Sequence, residues 1–423
     1  MSVNNDIQTS TYKEVISEIK DKENHLLLGN GFNYGLGVNT GYKEIFKKML
    51  EDNHGIYQDA ENIVTNSNYD LEEFIGKISE NITNDNNFLK KYVANKIKLD
   101  FMKATHEIVK SSIKNVYSEK NEGIYLLLSK FTNYFTLNYD SFLYLLLLKF
   151  KKSDKNKEKA ISFTSSLKFI EEDMNKNQNN IYKEIKELRV NGTLTITFEG
   201  IGNTTNMANL SKTHFEAEIK KYNKDNNKNW KTKDIQRVAK LIWEEEKQNN
   251  ILENVDDGSR LDLGIDEHVF YVENRTQNLF FLHGAFHIYK DKKYIKKITK
   301  STDKALYDKL EEIINCEEKD IVCVFQANDK IEEINNNEYL KKAHQKLSEL
   351  SGSLVIIGCS ISDNDKHIFD QINKSNIDTI YISSTKNSVD TIKNQAKVMF
   401  PNKRIVLFLA ETISYELPDK QEK

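Results

Sequence analysis

Glycines crowd one stretch near the start of this sequence, HLLLGNGFNYGLGVNT at residues 25–40. Three leucines run into Gly29, Asn30 and Gly31; Phe32 and Asn33 follow, then Gly35 and Gly37. Glycine lets backbone come close to a phosphate, while exposed N–H groups and a helix dipole supply partial positive charge. A strand, glycine loop and helix in that order is a candidate dinucleotide cradle. The spacing fits neither common phosphate loop: no Lys-Ser/Thr follows, and Phe32, Asn33 and Tyr34 stand between Gly31 and Gly35 where GxGxxG allows two residues. A plain tight turn is the alternative. Three other stretches carry chemistry. Asn138-Tyr139-Asp140 lies between an apolar run and an apolar helix, where open α/β folds bind ligands, although Asp140 could simply cap the helix. His283 ends the run Leu279-Phe280-Phe281-Leu282. It could act as a base, with an unperturbed pKa of ~6.5, or be a satisfied core residue. GCSISDND brings Gly358, Cys359 and Ser360, with Asp363, Asn364 and Asp365 opening a helix.

These stretches need a sheet to bring them together. Leu26 to Leu28, residues 134–137, 279–282 and 354–357 are short apolar runs without helical period, as strands buried on both faces would be. Further strands are expected at 269–272, 321–325, 377–383 and 404–409, with a helix at 340–350 between two of them. The rhythm predicts an α/β, Rossmann-like, mostly parallel sheet with helices on both faces. Residues 42–130 keep a helical pattern and form a predicted helical insertion, in which Asp70 could cap the segment beginning LEEF. Residues 151–268 form a second, polar and lysine-rich insertion, with helices near 169–188 and 234–247 and a strand-like run at 194–198. The core is then residues 1–41, 131–150 and 269–415, with an amphipathic helix expected over the first 23 residues. Lys290, Lys292, Lys293, Lys296, Lys297 and Lys300 read as a solvated loop and helix.

Composition narrows the class. The chain has 423 residues, 38% of them hydrophobic, with 20 Tyr and 21 Phe, enough for a sizeable core despite a mean hydropathy of -0.63. No apolar run approaches the ~20 residues of a membrane helix, and the opening MSVNNDIQTS has no signal-peptide character, so the expectation is a cytoplasmic protein without a membrane partner. A net charge of -3 with mixed signs indicates no nucleic-acid partner. Cys316, Cys323 and Cys359 are odd in number and lack CxxC spacing, which argues against zinc ribbons and disulfide frameworks.

GNGFNYGLG, TLNYD, LHG and GCSISDND, in this order, resemble the sirtuin-like superfamily, in particular a bacterial sirtuin-like family catalogued as a domain of unknown function. The resemblance runs over residues 25–384, interrupted by the insertions. It implies that Gly29, Asn30 and Gly31, with Phe32, Asn33 and Gly37 of the same loop, hold the pyrophosphate of NAD. Asn138 would hold the nicotinamide ribose or the attacking water, Asp140 would contact the nicotinamide end, and His283 would be the general base. Gly358, Ser360 and Asp363 would face the adenosine half, with Ser383 near the adenine. The family's serine after the first glycines is Asn33 here, its proline after the last glycine is Asn39, and its glutamine before the key asparagine is Leu137. The zinc-binding cysteines of protein-deacylating sirtuins have no counterpart after His283, so no metal is expected. The resemblance then favours hydrolysis of NAD, as substrate, in bacterial defence against phage, with a homo-oligomer or a companion defence protein as the gate. Breaking the nicotinamide–ribose bond develops an oxocarbenium-like centre and needs positioning and charge stabilisation more than strong acid. A binding module for NAD or ADP-ribose, or an NAD-dependent ADP-ribosyl or deacyl transferase, are the alternatives.

Overall fold

A computed structural model describes residues 9–19, 23–53, 57–58, 61–66, 87–116, 123–152, 175–190, 212–249, 255–262, 267–271, 276–299, 302–324, 330–413 and 415. The chain divides into two compact units, Met1–Leu146 with Asp256–Lys423, and Leu147–Val255.

The first unit holds twelve described strands: β1 (Thr9–Ser10), β2 (Asn24–Leu28), β3 (Asn133–Thr136), β4 (Ser259–Asp262), β5 (Glu267–Phe270), β6 (Leu279–Phe281), β7 (Gly284–Asp291), β8 (Tyr294–Lys297), β9 (Lys319–Cys323), β10 (Ser351–Ile357), β11 (Asn376–Ser384) and β12 (Arg404–Leu409). Seven form an all-parallel sheet in the order β1-β12-β11-β10-β2-β3-β6. The expected Rossmann-like α/β layer is present. From β2 the chain moves one way to β3 and β6, then returns to the far side of β2 for β10, β11 and β12. The direction of winding therefore reverses between β2 and β10, and a crevice opens beyond their carboxyl ends.

The central stretches of the inner strands are apolar, as they are where helices cover both faces of a sheet. Leu27, Phe135, Phe280, Leu354, Ile356, Ile380 and Ile382 pack with Ile368, Phe369 and Ile372 of the helix Lys366–Lys374. Phe135 and Phe280 stack across β3 and β6 with ring centroids 5.2 Å apart. Each such ring contributes about 2 kcal/mol by burial.

The remaining five strands form an antiparallel sheet, β4-β5-β8-β7-β9, which the alternation of strand and helix did not announce. Three expectations change with it. The strands expected at 269–272 and 321–325 appear as β5 and β9 and belong to this sheet. Lys290, Lys292, Lys293, Lys296 and Lys297 are carried by a β7-β8 hairpin, where a loop and helix were expected, and Lys300 lies outside the described residues. Lys296 is buried between Asp291 and Glu267, at 2.7 and 2.6 Å, and Lys297 is buried against Asp257 at 2.6 Å. Carboxylates from neighbouring segments neutralise these two ammonium groups while their aliphatic stems fill the sheet face, whereas Lys290, Lys292 and Lys293 are exposed as expected.

The first helix is shorter than expected, Tyr12–Ile19, and follows the edge strand β1. The helices Tyr42–Asp52 and Asn87–Val116 of the predicted first insertion belong to the main unit. Ile45, Phe46, Met49, Phe101 and Met102 share one apolar cluster with Tyr139, Phe286 and Ile313. Asp70 lies outside the described residues. The second unit ends earlier than the second predicted insertion: β4, placed in that insertion by the sequence, belongs to the main unit with β5. Its helices Lys176–Val190, Lys212–Asp225 and Thr232–Asn249 bury Ile181, Ile185, Ile219, Ile235 and Val238. The strand-like run 194–198 lies outside the described residues. No described helix is long and apolar enough to cross a membrane.

Candidate active site

Four adjacent parallel strands, β10, β2, β3 and β6, end on one cavity of about 390 Å³. Gly29 and Asn30 reach it from β2, Asn138 and Asp140 from β3, His283 from β6, and Gly358 and Ser360 from β10. The helices Tyr42–Asp52 and Asn87–Val116 close the far wall through Tyr42, Ile45, Phe101 and Thr105, joined by Tyr139 and Phe286. All four motif stretches thus meet at one place, because a parallel sheet delivers every strand's carboxyl end to the same edge.

The glycine loop folds back on itself. Asn30 Nδ2 donates to the Thr40 carbonyl at 2.9 Å, and Thr40 Oγ1 donates to Asn30 Oδ1 at 2.6 Å. Asn33 lies behind the wall, buried, and Nδ2 donates to both Thr40 Oγ1 and Asp140 Oδ2 at 2.9 Å. Its Oδ1 accepts from Asn138 Nδ2 at 3.2 Å. Asn33 therefore orients the two polar residues of the loop after β3 from behind, in place of lining the cavity as a direct ligand. Asp140 also does what a cap does: Oδ1 accepts from the Phe142 N–H at 2.8 Å at the start of the helix Phe142–Lys152. Burial pushes its carboxyl up to about 6, against the pull of the Phe142 and Asn33 hydrogen bonds. Asp140 is thus both a cap and a cavity residue.

The glycines also have a packing role. The Gly29 N–H donates to the Ile357 carbonyl and the Gly31 N–H to the Gly358 carbonyl, both at 2.9 Å, so these two groups are spent on the neighbouring loop. A Cβ at Gly29 would lie 2.5 Å from the Gly358 oxygen, and one at Gly31 would lie 2.6 Å from its Cα. Gly358 itself has φ +71, and a Cβ there would collide with the Phe32 nitrogen. Three glycines let two loops press together at the switch point. Phe32 is buried, its ring 6.3 Å from that of Phe142, and does not face the cavity. Gly37 takes φ +75 just after the short helix Asn30–Gly35, donating to the Tyr34 carbonyl, and is likewise off the cavity. Ser383 is buried beneath Gly358, accepting its N–H at 3.0 Å, and Asp363 is exposed at the start of a 3-10 turn. None of Gly31, Phe32, Asn33, Gly37, Asp363 and Ser383 lines the cavity.

His283 occupies the turn where the chain leaves β6 of one sheet and enters β7 of the other. Gly284 makes that turn with φ +79. The imidazole is 4% exposed, with Tyr139 on one side at a ring distance of 6.0 Å and His367 on the other at 5.3 Å. Burial holds its pKa well below 6.5, with Lys330, His367 and His344 adding repulsion, while a hydrogen bond to the Leu137 backbone pulls the other way. It is a neutral base at physiological pH. Burial pushes the Cys359 thiol, which also lines the cavity, well above 9.0, so it is not a thiolate nucleophile. Among the described residues no group of three His, Cys, Asp or Glu is placed to hold a metal ion.

Lys330, His344 and His367 are neighbours of His283 that sequence reasoning missed, and Asp365 was read only as opening a helix. A signal existed for two of them: Asp365 and His367 fall within or just after GCSISDND, already singled out, in a chain with only nine histidines. His344 and Lys330 offered none, since each sits on a helix whose packing decides where it points.

Residues 265–412 match a domain of unknown function, DUF4917. The match covers about a third of the chain and includes His283, Gly358 and Ser360, while Gly29, Asn138 and Asp140 lie outside it. No curated protein matches.

Proposed function

We propose that this chain is an enzyme that cleaves the nicotinamide–ribose bond of NAD, giving nicotinamide and ADP-ribose. The observation carrying this reading is the convergence of Asn138, Asp140 and His283 with Gly29, Asn30, Gly358 and Ser360 on one cavity. Asn138, steadied by Asn33, can orient a water or a ribose hydroxyl without titrating. His283, kept neutral by burial, can take the proton that nucleophile gives up. Asp140 offers a carboxyl at the cavity wall for the nicotinamide end, and Lys330 offers a cation suited to a pyrophosphate. The sirtuin-like resemblance supports the same reaction and its setting, depletion of NAD in the bacterial cytoplasm during phage infection, gated by assembly or a companion protein.

The test is nicotinamide release from NAD by the purified chain beside Asn138→Ala and His283→Ala. Turnover by wild type and a loss of 100-fold or more in each variant is the expected outcome. A specific observation favours a second reading, a non-catalytic sensor of NAD or ADP-ribose: Nε2 of His283 faces His367 at 3.2 Å, so the would-be base is covered by a neighbouring imidazole. Calorimetric binding of NAD without nicotinamide release would favour the sensor; no binding would sink both readings.

A further inference from the structure

The cavity is one-sided. A dinucleotide laid across an open α/β sheet spans both halves of the strand order, with its pyrophosphate at the switch point between them. Here β10, β2, β3 and β6 supply the sheet side of the cavity, whereas among the described residues none from the carboxyl end of β11 or β12 lines it. Polar groups at those two ends are engaged within the chain. Ser384 Oγ donates to the Thr385 carbonyl at 3.1 Å and lies 3.0 Å from Ser388 Oγ, and the Lys386 N–H donates to Glu411 Oε1 at 3.0 Å. After β12, Thr412 Oγ1 donates to the Leu409 carbonyl at 2.6 Å and accepts from the Tyr12 N–H at 2.8 Å. The crossing between the halves is engaged as well: the Gly29 and Gly31 N–H groups bond the Ile357 and Gly358 carbonyls, and the Phe32 N–H bonds the Gly29 carbonyl at 3.1 Å. Three amides at the place where a bridging pyrophosphate would lie are therefore taken.

The furnished side suits a single nucleotide. Asn138 and His283 stand at its polar wall, and Lys330, only 8% exposed, lines it as a buried cation. Tyr139 stacks on Phe286 at 6.1 Å, and Phe101 meets Phe286 edge-on at 5.6 Å, which gives the cavity an apolar wall for a flat ring. Its volume, about 390 Å³, is near the lower end of the ~300–1,000 Å³ usual for small-ligand sites.

We infer that the site grips only the nicotinamide-bearing nucleotide of NAD, so that the chain also cleaves the free mononucleotide. The inference rests on reading the reaction as cleavage of the nicotinamide–ribose bond. In the mononucleotide the bond from ribose C1′ to the ring nitrogen breaks, and its electron pair leaves on nicotinamide. A water oxygen bonds to C1′, the water proton passes to His283, and the second product is ribose 5-phosphate. Lys330 pairs with the phosphate of that nucleotide, and the adenylate of NAD extends past the cavity.

The test is nicotinamide release by the full chain from NAD, nicotinamide mononucleotide and nicotinamide riboside, with AMP as competitor and calorimetric binding of each as a second readout. kcat/KM for the mononucleotide is expected within about threefold of that for NAD, because a remote group that meets no partner adds no transition-state binding. AMP should not compete. The riboside, lacking the phosphate, should be about tenfold poorer or worse, and Lys330→Met should weaken NAD and the mononucleotide alike until that preference disappears. A mononucleotide cleaved roughly 100-fold less efficiently than NAD, or competitive inhibition by AMP, would overturn the inference. The wild-type comparison alone is decisive if the variant misfolds. If no substrate releases nicotinamide, the hydrolase reading fails and binding decides the inference separately: mononucleotide binding comparable to that of NAD, with no AMP binding, keeps the one-sided site. AMP binding, or no mononucleotide binding, overturns it.

Discussion

Asn33 makes three hydrogen bonds from one amide, to Thr40, Asp140 and Asn138. Its bond to Asp140 favours the charged carboxylate, whereas burial favours the neutral acid and wins, leaving the carboxyl at about 6. An acid whose folded pKa is raised contributes stability that is fully present below its unfolded value of 3.8 and is lost as pH rises through about 6. Removing Asn33 raises Asp140 further, so the loss matters most when the carboxylate must be charged. Asn33→Ala should cost about 2 kcal/mol at pH 8, and about 1 kcal/mol less at pH 5. Urea unfolding at the two pH values measures the gap; equal costs would show that the Asp140 bond carries none of it.

At the scale of elements, the site depends on two loops lying against each other, and glycines permit this for unequal reasons. Gly37 and Gly358 both have positive φ, but a Cβ at Gly37 would meet nothing within 4 Å, whereas one at Gly358 would strike the backbone of Gly31 and Phe32. Gly37→Ala should therefore cost only the backbone strain, about 1 kcal/mol. Gly358→Ala adds a collision between main chains at the centre of the sheet edge and should cost about 3 kcal/mol or more, with loss of any cavity function. Equilibrium unfolding of the two variants compares them directly. Equal costs would mean that the loops can part freely.

Across the whole molecule, buried imidazoles set the response to acid. His287 and His344 are held at about 4 and His367 at about 3 by burial, and His25 and His283 are also lowered. A base whose folded pKa is depressed contributes stability present above its unfolded 6.5 and lost as pH falls toward the folded value. Asp140 and Asp320, carboxyls raised by burial, pull the other way. The melting temperature should fall steeply between pH 6.5 and 4. His287 stacks on Tyr144 at 5.3 Å and meets Phe281 edge-on at 4.9 Å, with neither ring nitrogen bonded within the protein. His287→Phe keeps those ring contacts, so it should leave stability at pH 7 unchanged or about 1 kcal/mol higher, and flatten the acid slope by up to roughly 3 kcal/mol at pH 4. An unchanged slope in calorimetric melts would place the acid sensitivity elsewhere. What the sequence determined by itself is the parallel sheet and the edge where its motifs meet: Leu26 to Leu28, the 354–357 run and their loop glycines are local patterns, and the parallel winding delivers their ends together without further instruction. Only the tertiary structure decided the antiparallel sheet, the burial of Lys296 and Lys297, the backbone use of Gly29 and Gly31, and the ring of His344, His367 and Asp365 about His283. Those depend on which carboxylate, carbonyl or imidazole lies across a gap from residues far away in the chain. Composition and periodicity record which face a residue takes, and say nothing of the partner it meets there.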